Sequence, residues 1–275
     1  RPIIKPMKST VNPSAARPSR LAAVTAFVLL AGLTPGTIAR AGEANANPMP
    51  AGTTSVPIRG VIELFTSQGC SSCPAADELF KSYTSRRDVI ALSLPVDYWD
   101  YLGWKDTLAS PRFTERQRAY AKARRDGELY TPQIIVDGVK HVVGSERAKI
   151  DKAIEQAWPK FSSAQVPVRF WMQDGAVMIE AGGAPEDKPM QEATVWFAVV
   201  QKKVEVQVQR GENKGKTLTY TNVVREITPV GLWKGKPLSL SLARNSLIRP
   251  DVEGCAVLIQ QGDGGPIIGA AWMGL

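Results

Sequence analysis

Cys70-Ser71-Ser72-Cys73 follows directly on the strand-like run Val61-Ile62-Glu63-Leu64-Phe65, which places two thiols three positions apart at a strand-to-helix junction. Thiols at that spacing can trade a disulfide. A two-residue spacer lets both share the first turn of a helix, where unpaired N–H groups and the positive end of the helix dipole favour thiolate over thiol. Bringing a thiol pKa from about 8.5 to about 7 takes roughly 2 kcal/mol, a size that a helix end with N–H···S bonds supplies. Cys70 is therefore the expected attacking thiol and Cys73 the resolving one. Pro74 suits a first helical turn, and Ala75, Leu79 and Tyr83 with Ala76 and Phe80 continue at helical spacing.

Three other readings compete. Half of a zinc site needs further Cys or His ligands, and the chain offers only Cys255 and His141, each isolated. A copper or other soft-metal carrier would use both thiolates with a methionine, yet Met172, Met178, Met190 and Met273 are scattered. The third is a non-catalytic interaction module with a structural disulfide. No metal site and no cofactor is expected. Cys255 lies in the apolar run Cys255-Ala256-Val257-Leu258-Ile259 and reads as a buried, inert thiol. Gly211 to Gly215 lacks the GxxxxGK[ST] spacing of a phosphate cradle and reads as a hairpin loop.

Around the cysteines the pattern alternates strand and helix, which points to an α/β layer architecture. Val61 to Thr66 is the first strand and Val89 to Leu94 the second, stopped by Pro95. Ser110 as cap, Pro111 in the first turn and Gly127 as stop define a helix. Gln133 to Val136 and Lys140 to Val143 flank Asp137-Gly138, a tight hairpin turn. A last helix from Ser145 carries Ile150, Ala153, Ile154, Ala157 and Trp158 on one face and is expected to end at Pro159. Beyond about residue 163 come strand candidates alone: Val166 to Met172, Ala176 to Glu180, Ala193 to Val200, Val204 to Gln209, Leu218 to Arg225, Leu238 to Leu242 and Ala256 to Gln260. The expected organisation is one α/β domain over 57–162 and a mostly β, sandwich-like domain over 163–275.

The 275 residues carry 34 cations and 26 carboxylates, a formal net charge of +8. Residues 1–41 hold six of the cations (Arg1, Lys5, Lys8, Arg17, Arg20, Arg40) and no carboxylate, leaving 28 against 26 elsewhere. So small an excess makes no case for nucleic acid as a partner. Those residues read instead as an export signal: a basic stretch, the apolar run Leu21 to Leu33, then Ala39-Arg40-Ala41 as a cleavage site. The run is shorter than the ~20 residues a spanning helix needs, so no integral span is expected in the mature chain. Cleavage near Ala41, a flexible lead-in over 42–56 and a periplasmic or secreted location follow, and there disulfides persist.

Strand, CxxC-headed helix, strand, helix, then Tyr130-Thr131-Pro132 opening a hairpin and a closing helix: this order resembles the thioredoxin fold. More closely, Glu63 to Asp77 together with Val96-Asp97-Tyr98-Trp99-Asp100-Tyr101-Leu102-Gly103-Trp104, and Arg210-Gly211-Glu212-Asn213-Lys214-Gly215 with the following Leu218-Thr219-Tyr220 and Asn222-Val223-Val224-Arg225, are similar to the exported bacterial family called domain of unknown function 1223. The resemblance covers residues 57 to 275. The thioredoxin likeness implies a cis Pro132 facing the cysteines, a Thr131 backbone that pairs with substrate, and a proton-relay role for Glu63 on the strand leading to the CxxC. Tyr98, Trp99 and Trp104 are candidates to wall a groove for an extended polypeptide. The function expected is an exported thiol-disulfide oxidoreductase acting on exported protein thiols or disulfides, served by a membrane or periplasmic redox partner.

Overall fold

The computed structural model describes residues 57–185, 191–248 and 251–275. The expected signal at 1–41, its cleavage near Ala41 and the lead-in at 42–56 lie outside the described residues. Strand β1 (Gly60–Thr66) is buried throughout, runs parallel to β2 (Val89–Pro95) and antiparallel to β3 (Gln133–Val136). Burial on both faces follows from helices on both sides. Ile62 and Leu64 meet Ala76 and Phe80 of α1 (Cys73–Thr84) and Ile150 and Ile154 of α3 (Arg147–Ala164). Val61 and Phe65 meet Phe113 and Tyr120 of α2 (Pro111–Arg124) on the other face. The Ser110 side chain accepts from the Arg112 N–H and starts α2 where the sequence predicts. Asp137 (φ 48°) and Gly138 (φ 73°) are both left-handed, joining β3 to β4 (Lys140–Val143) in the primed turn their sequence favours.

The carboxy-terminal half is almost all strand: β5 (Val168–Gln173), β6 (Ala176–Ala181), β7 (Ala193–Gln207), β8 (Thr217–Trp233), β9 (Leu238–Ala243), the single turn α4 (Arg244–Leu247), β10 (Gly254–Gln261) and β11 (Ile267–Gly274). Four of these extend the first sheet, giving the order β11-β10-β7-β8-β2-β1-β3-β4, with β8 joining β2 through Ser93 and Val223. The other three, β5-β6-β9, form a separate sheet whose Val177 and Ile179 pack with Val195, Phe197 and Val257 of the large one. The described residues thus form one compact unit, and strands from both sides of residue 162 share one sheet and one core.

Three local differences from the sequence expectation have physical reasons. Helix α3 runs through Pro159 to Ala164. An interior proline costs about 3 kcal/mol, and the continued turn buries Phe161 against Trp158, a term of similar size. Strand β7 is continuous through Gln201-Lys202-Lys203, because that polar stretch is still paired with β8, past a register shift at Val199/Val200. Strand β11 was not foreseen, since Gly269 and two alanines weaken its strand signature; it pairs along β10 regardless.

Candidate active site

Cys70 and Cys73 form a disulfide with their Cα atoms 5.4 Å apart. Helix α1 begins at Cys73, so Cys70 is not in its first turn, contrary to the sequence expectation. Pro74 explains this: it lacks the N–H that would bond the Cys70 carbonyl in an α-helical pattern. Cys70 sits in a turn instead, with its N–H on the Ser67 carbonyl (3.2 Å) and its own carbonyl accepting from the Cys73 N–H (3.2 Å). Both cysteines are buried, at 1% and 0% exposure.

The loop that carries Cys70 is tied down from the far half of the chain. The loop between β7 and β8 brings in Asn213, itself fully buried, whose amide Nδ2 donates to the carbonyls of Cys70 (2.9 Å) and Gln68 (3.0 Å). The neighbouring Glu212 carboxylate accepts from the Ser71 N–H at 3.1 Å. Gly211 to Gly215 is thus the hairpin loop the sequence predicts, but one that holds the cysteine loop down. Sequence reasoning did not place Glu212 and Asn213 at the site; the contact joins positions more than 140 residues apart, and no local pattern carries it.

The aromatic stretch divides. Trp104 donates from Nε1 to Gln68 Oε1 at 2.8 Å, next to Gly211 of the β7–β8 loop. Trp99 donates from Nε1 to Thr131 Oγ1 at 2.8 Å, and its Cβ lies 2.9 Å from where a Cβ on Gly69 would stand, so it links the cysteine loop to Thr131. Tyr98 packs against the main core, ring to ring with Trp99 at 6.2 Å, and its hydroxyl is buried without a partner. The Thr131–Pro132 peptide is cis. Pro132 donates no N–H; its carbonyl accepts from Gly144 N–H at 2.9 Å. Pro132 Cβ and the Cβ of Ala76, in the first turn of the helix that Cys73 heads, each lie 3.1 Å from the point a Cβ on Gly144 would occupy, so Gly144 stands between the proline and that turn.

Glu63 does not join this group. Strand alternation sends Ile62 and Leu64 toward α1 and Glu63 to the opposite face. There its Oε1 accepts from Arg116 Nε at 2.6 Å, and its Oε2 accepts from Arg116 Nη2 (3.2 Å) and from the Tyr120 hydroxyl. Arg116 is satisfied further by Gln260 Oε1 at 3.0 Å and lies over the rings of Tyr120 and Trp196. The relay role expected for Glu63 is corrected on this ground.

The acid on the cysteine side is Asp77, one helical turn beyond Cys73 on the buried stripe Cys73, Ala76, Asp77, Phe80, Tyr83. Its polar side-chain neighbour is the Thr66 hydroxyl, which does not reach good hydrogen-bond geometry. Burial pushes the Asp77 carboxyl up to about 8, against the lowering effect of Thr66 and with the Asp106 charge adding to it. Asp106, also buried, accepts from the N–H groups of Gln68 (2.7 Å), Leu108 (2.8 Å) and Ala109 (3.1 Å), and burial raises it to about 6. Helical periodicity could have flagged Asp77, a carboxylate on an otherwise apolar stripe. Cys255 is buried in β10 with its thiol pushed up to about 12 by burial, as expected of an inert group. His141 Nδ1 pairs with the Tyr130 hydroxyl at 2.9 Å. Among the described residues no three His, Cys, Asp or Glu side chains are grouped to hold a metal, and no helix is long and apolar enough to cross a membrane.

A mixed α/β protein with a large, mostly β sheet and a covered Cys-x-x-Cys disulfide at a helix start is the class this defines. Residues 61–260 match the family described as Protein of unknown function (DUF1223), and the chain belongs to that family. It is similar to the crystal structure of protein AGR_C_4864 from Agrobacterium tumefaciens, with 35% identity, a TM-score of 0.70 and coverage of 79% of this chain and 95% of that one. It shares its fold more distantly with HBP35 of Porphyromonas gingivalis, at 14% identity and a TM-score of 0.56, over 80% of this chain and 76% of that one. No curated protein matches the sequence.

Proposed function

We propose that the protein is an exported thiol-disulfide oxidoreductase whose residues 57–162 are thioredoxin-like, acting on exported protein thiols or disulfides. The observation that carries this is the Cys70–Cys73 disulfide at the start of α1, with the cis Thr131–Pro132 bond across Gly144 from the first turn and Thr131 tied to Trp99. In the reducing direction the Cys70 thiolate attacks a substrate disulfide, forming a mixed disulfide and releasing one substrate thiolate. The Cys73 thiolate then attacks the Cys70 sulfur, forming the internal disulfide and releasing the second substrate thiolate. The substrate gains two electrons and the cysteine pair loses them; disulfide donation runs the same steps backward. Thr131, Trp99 and Trp104 border the cysteine loop where a substrate chain would dock. The basic and apolar pattern of residues 1–41 supports export to the periplasm or beyond, where a soluble or membrane redox partner would reset the pair. Cys73→Ser should trap mixed disulfides with exported partners while Cys70→Ser does not; equal trapping by both, or by neither, overturns the proposal.

A second reading has one observation in its favour: the burial of both cysteines in a loop tied down by Asn213 and Glu212 suits a structural disulfide. Equilibration with glutathione separates the two. A potential below about −300 mV marks a structural bond, and one between about −270 and −120 mV an exchange enzyme.

A further inference from the structure

Opening a disulfide creates a thiolate, and here that charge would form inside the protein. Cys73 is fully buried, so water cannot readily protonate its sulfur. A buried anion left unpaired is costly. Behind Cys73 on α1 the buried Asp77 carboxyl stands beside the Thr66 hydroxyl of β1 and faces Tyr220 of β8, and the Tyr220 hydroxyl has no partner of its own. Asp77 follows Cys73 by four residues, a spacing that holds side chains about 5–6 Å apart on one helix face.

We infer that Asp77 gives a proton to the Cys73 sulfur when the Cys70–Cys73 disulfide is opened, and takes it back when the disulfide re-forms. In balance, an incoming dithiol attacks Cys70 as thiolate, the sulfur–sulfur bond breaks, Cys73 leaves with the electron pair, and the Asp77 carboxyl passes its proton to that sulfur. The second thiol of the dithiol then loses its proton to solvent and attacks the reductant sulfur of the mixed disulfide; the bond to Cys70 breaks, Cys70 leaves as thiolate, and the dithiol ends as a disulfide. The inference rests on the exchange reading.

The other ionisable groups do not fit the role. Glu63 is on the far face, held by Arg116 and Tyr120. Asp106 has its oxygens committed to three backbone N–H groups, which favour the ionised form. Tyr220, facing Asp77 and Asp106 from β8, is raised by burial and those charges and stays protonated. Lys81, one turn further along α1, acts weakly in the opposite sense on Asp77. Of these groups only Asp77 is a carboxyl that burial keeps protonated near neutral pH and that can give up its proton near pH 8.

The test is stopped-flow reduction of the full oxidised chain by dithiothreitol, with each rate divided by the reductant's thiolate concentration. For the wild type this normalised rate should fall as pH rises through about 8, where the donor is lost. Asp77→Asn, isosteric and uncharged, should slow reduction at neutral pH by roughly 10²-fold and flatten the profile. An Asp77→Asn protein with the wild-type rate and profile overturns the assignment while leaving the exchange reading intact. A wild-type disulfide that resists the dithiol in the folded protein overturns both. Oxidised-minus-reduced infrared spectra of the unaltered protein give a readout free of folding effects: a protonated-carboxyl band titrating near 8 supports the donor, and its absence overturns it.

Discussion

Asn213 donates from its side-chain amide to the carbonyl of Cys70 at 2.9 Å, across a sequence separation of 143 residues. The same amide holds the Gln68 carbonyl, so one side chain secures the loop that carries Cys70. Asn213→Ala removes the side-chain partner of the Gln68 carbonyl and leaves the Cys70 carbonyl with the Cys73 N–H alone, at about 1–3 kcal/mol. The variant should melt earlier, yet its disulfide should be reduced roughly tenfold faster, because opening no longer breaks those bonds. Parallel melting curves and reduction rates check both; an unchanged reduction rate means the loop opens without releasing Asn213.

Gly144 fills the narrow space between Pro132 of the hairpin and Ala76 of the cysteine helix. A Cβ there would stand 2.9 Å from Leu64 Cδ1 and 3.1 Å from both Ala76 Cβ and Pro132 Cβ, with no room for any of them. Gly144→Ala should destabilise the protein by about 1–3 kcal/mol and slow exchange with protein substrates more than reduction by dithiothreitol. Denaturation midpoints and the two rates decide it; equal loss on both substrates separates Pro132 from docking.

The Glu63–Arg116 pair should matter to stability and not to thiol chemistry. Arg116→Ala strips a buried carboxylate of its main partner, a loss of about 3–5 kcal/mol. Urea denaturation should show it, while the reduction rate of the folded fraction stays at the wild-type value. A changed pH profile of reduction would bring Glu63 back to the cysteine site.

Three buried aspartates set an unusual pH dependence. Asp77, Asp137 and Asp106 are raised, all chiefly by burial, to about 8, 7 and 6. Each folded pKa exceeds the unfolded one, so their stability is fully present below about pH 4 and is lost as pH rises through those values. Asp88 and Asp126 are shifted down by hydrogen bonds from Arg86 and Arg124 near the surface, where such pairs weigh little. The oxidised protein should therefore melt higher at about pH 5 than at about pH 8. Asp137→Asn keeps an oxygen for the Val61 N–H, bonded now at 2.7 Å, and suits the left-handed backbone at that turn. It should raise the melting temperature at about pH 8 and leave it nearly unchanged at about pH 5; the reverse order would refute the assignment.

The sequence carries those parts of the site that depend on short-range rules. Ser110-Pro111 starts a helix, Asp137-Gly138 makes a turn, and Thr131-Pro132 opens β3, each because a few neighbouring residues restrict the backbone. Glu63 fails for lack of one more step: its face is set by the parity of Ile62 and Leu64, and the direction of that face depends on which side α1 packs. Val223 meeting Ser93 and Asn213 meeting Cys70 are beyond any local reading, since they follow from how two halves of the chain share a sheet. The polar run Gln201-Lys202-Lys203 misled for a related reason: a strand supported by β8 tolerates polar positions that an isolated strand would not.

The shared sheet also decides what a shortened protein would do. Leu92, Leu94 and Val96 lie in the same core as Val224, Ile227, Ala198 and Leu258. A chain stopped after Ala164 would carry the cysteines and the proline but present β2, apolar on both faces, as an open sheet edge. Such an edge recruits other chains. The amino-terminal half is thus a unit of resemblance rather than a unit of solubility, and a fragment of residues 57–164 should self-associate in light scattering where the longer chain does not.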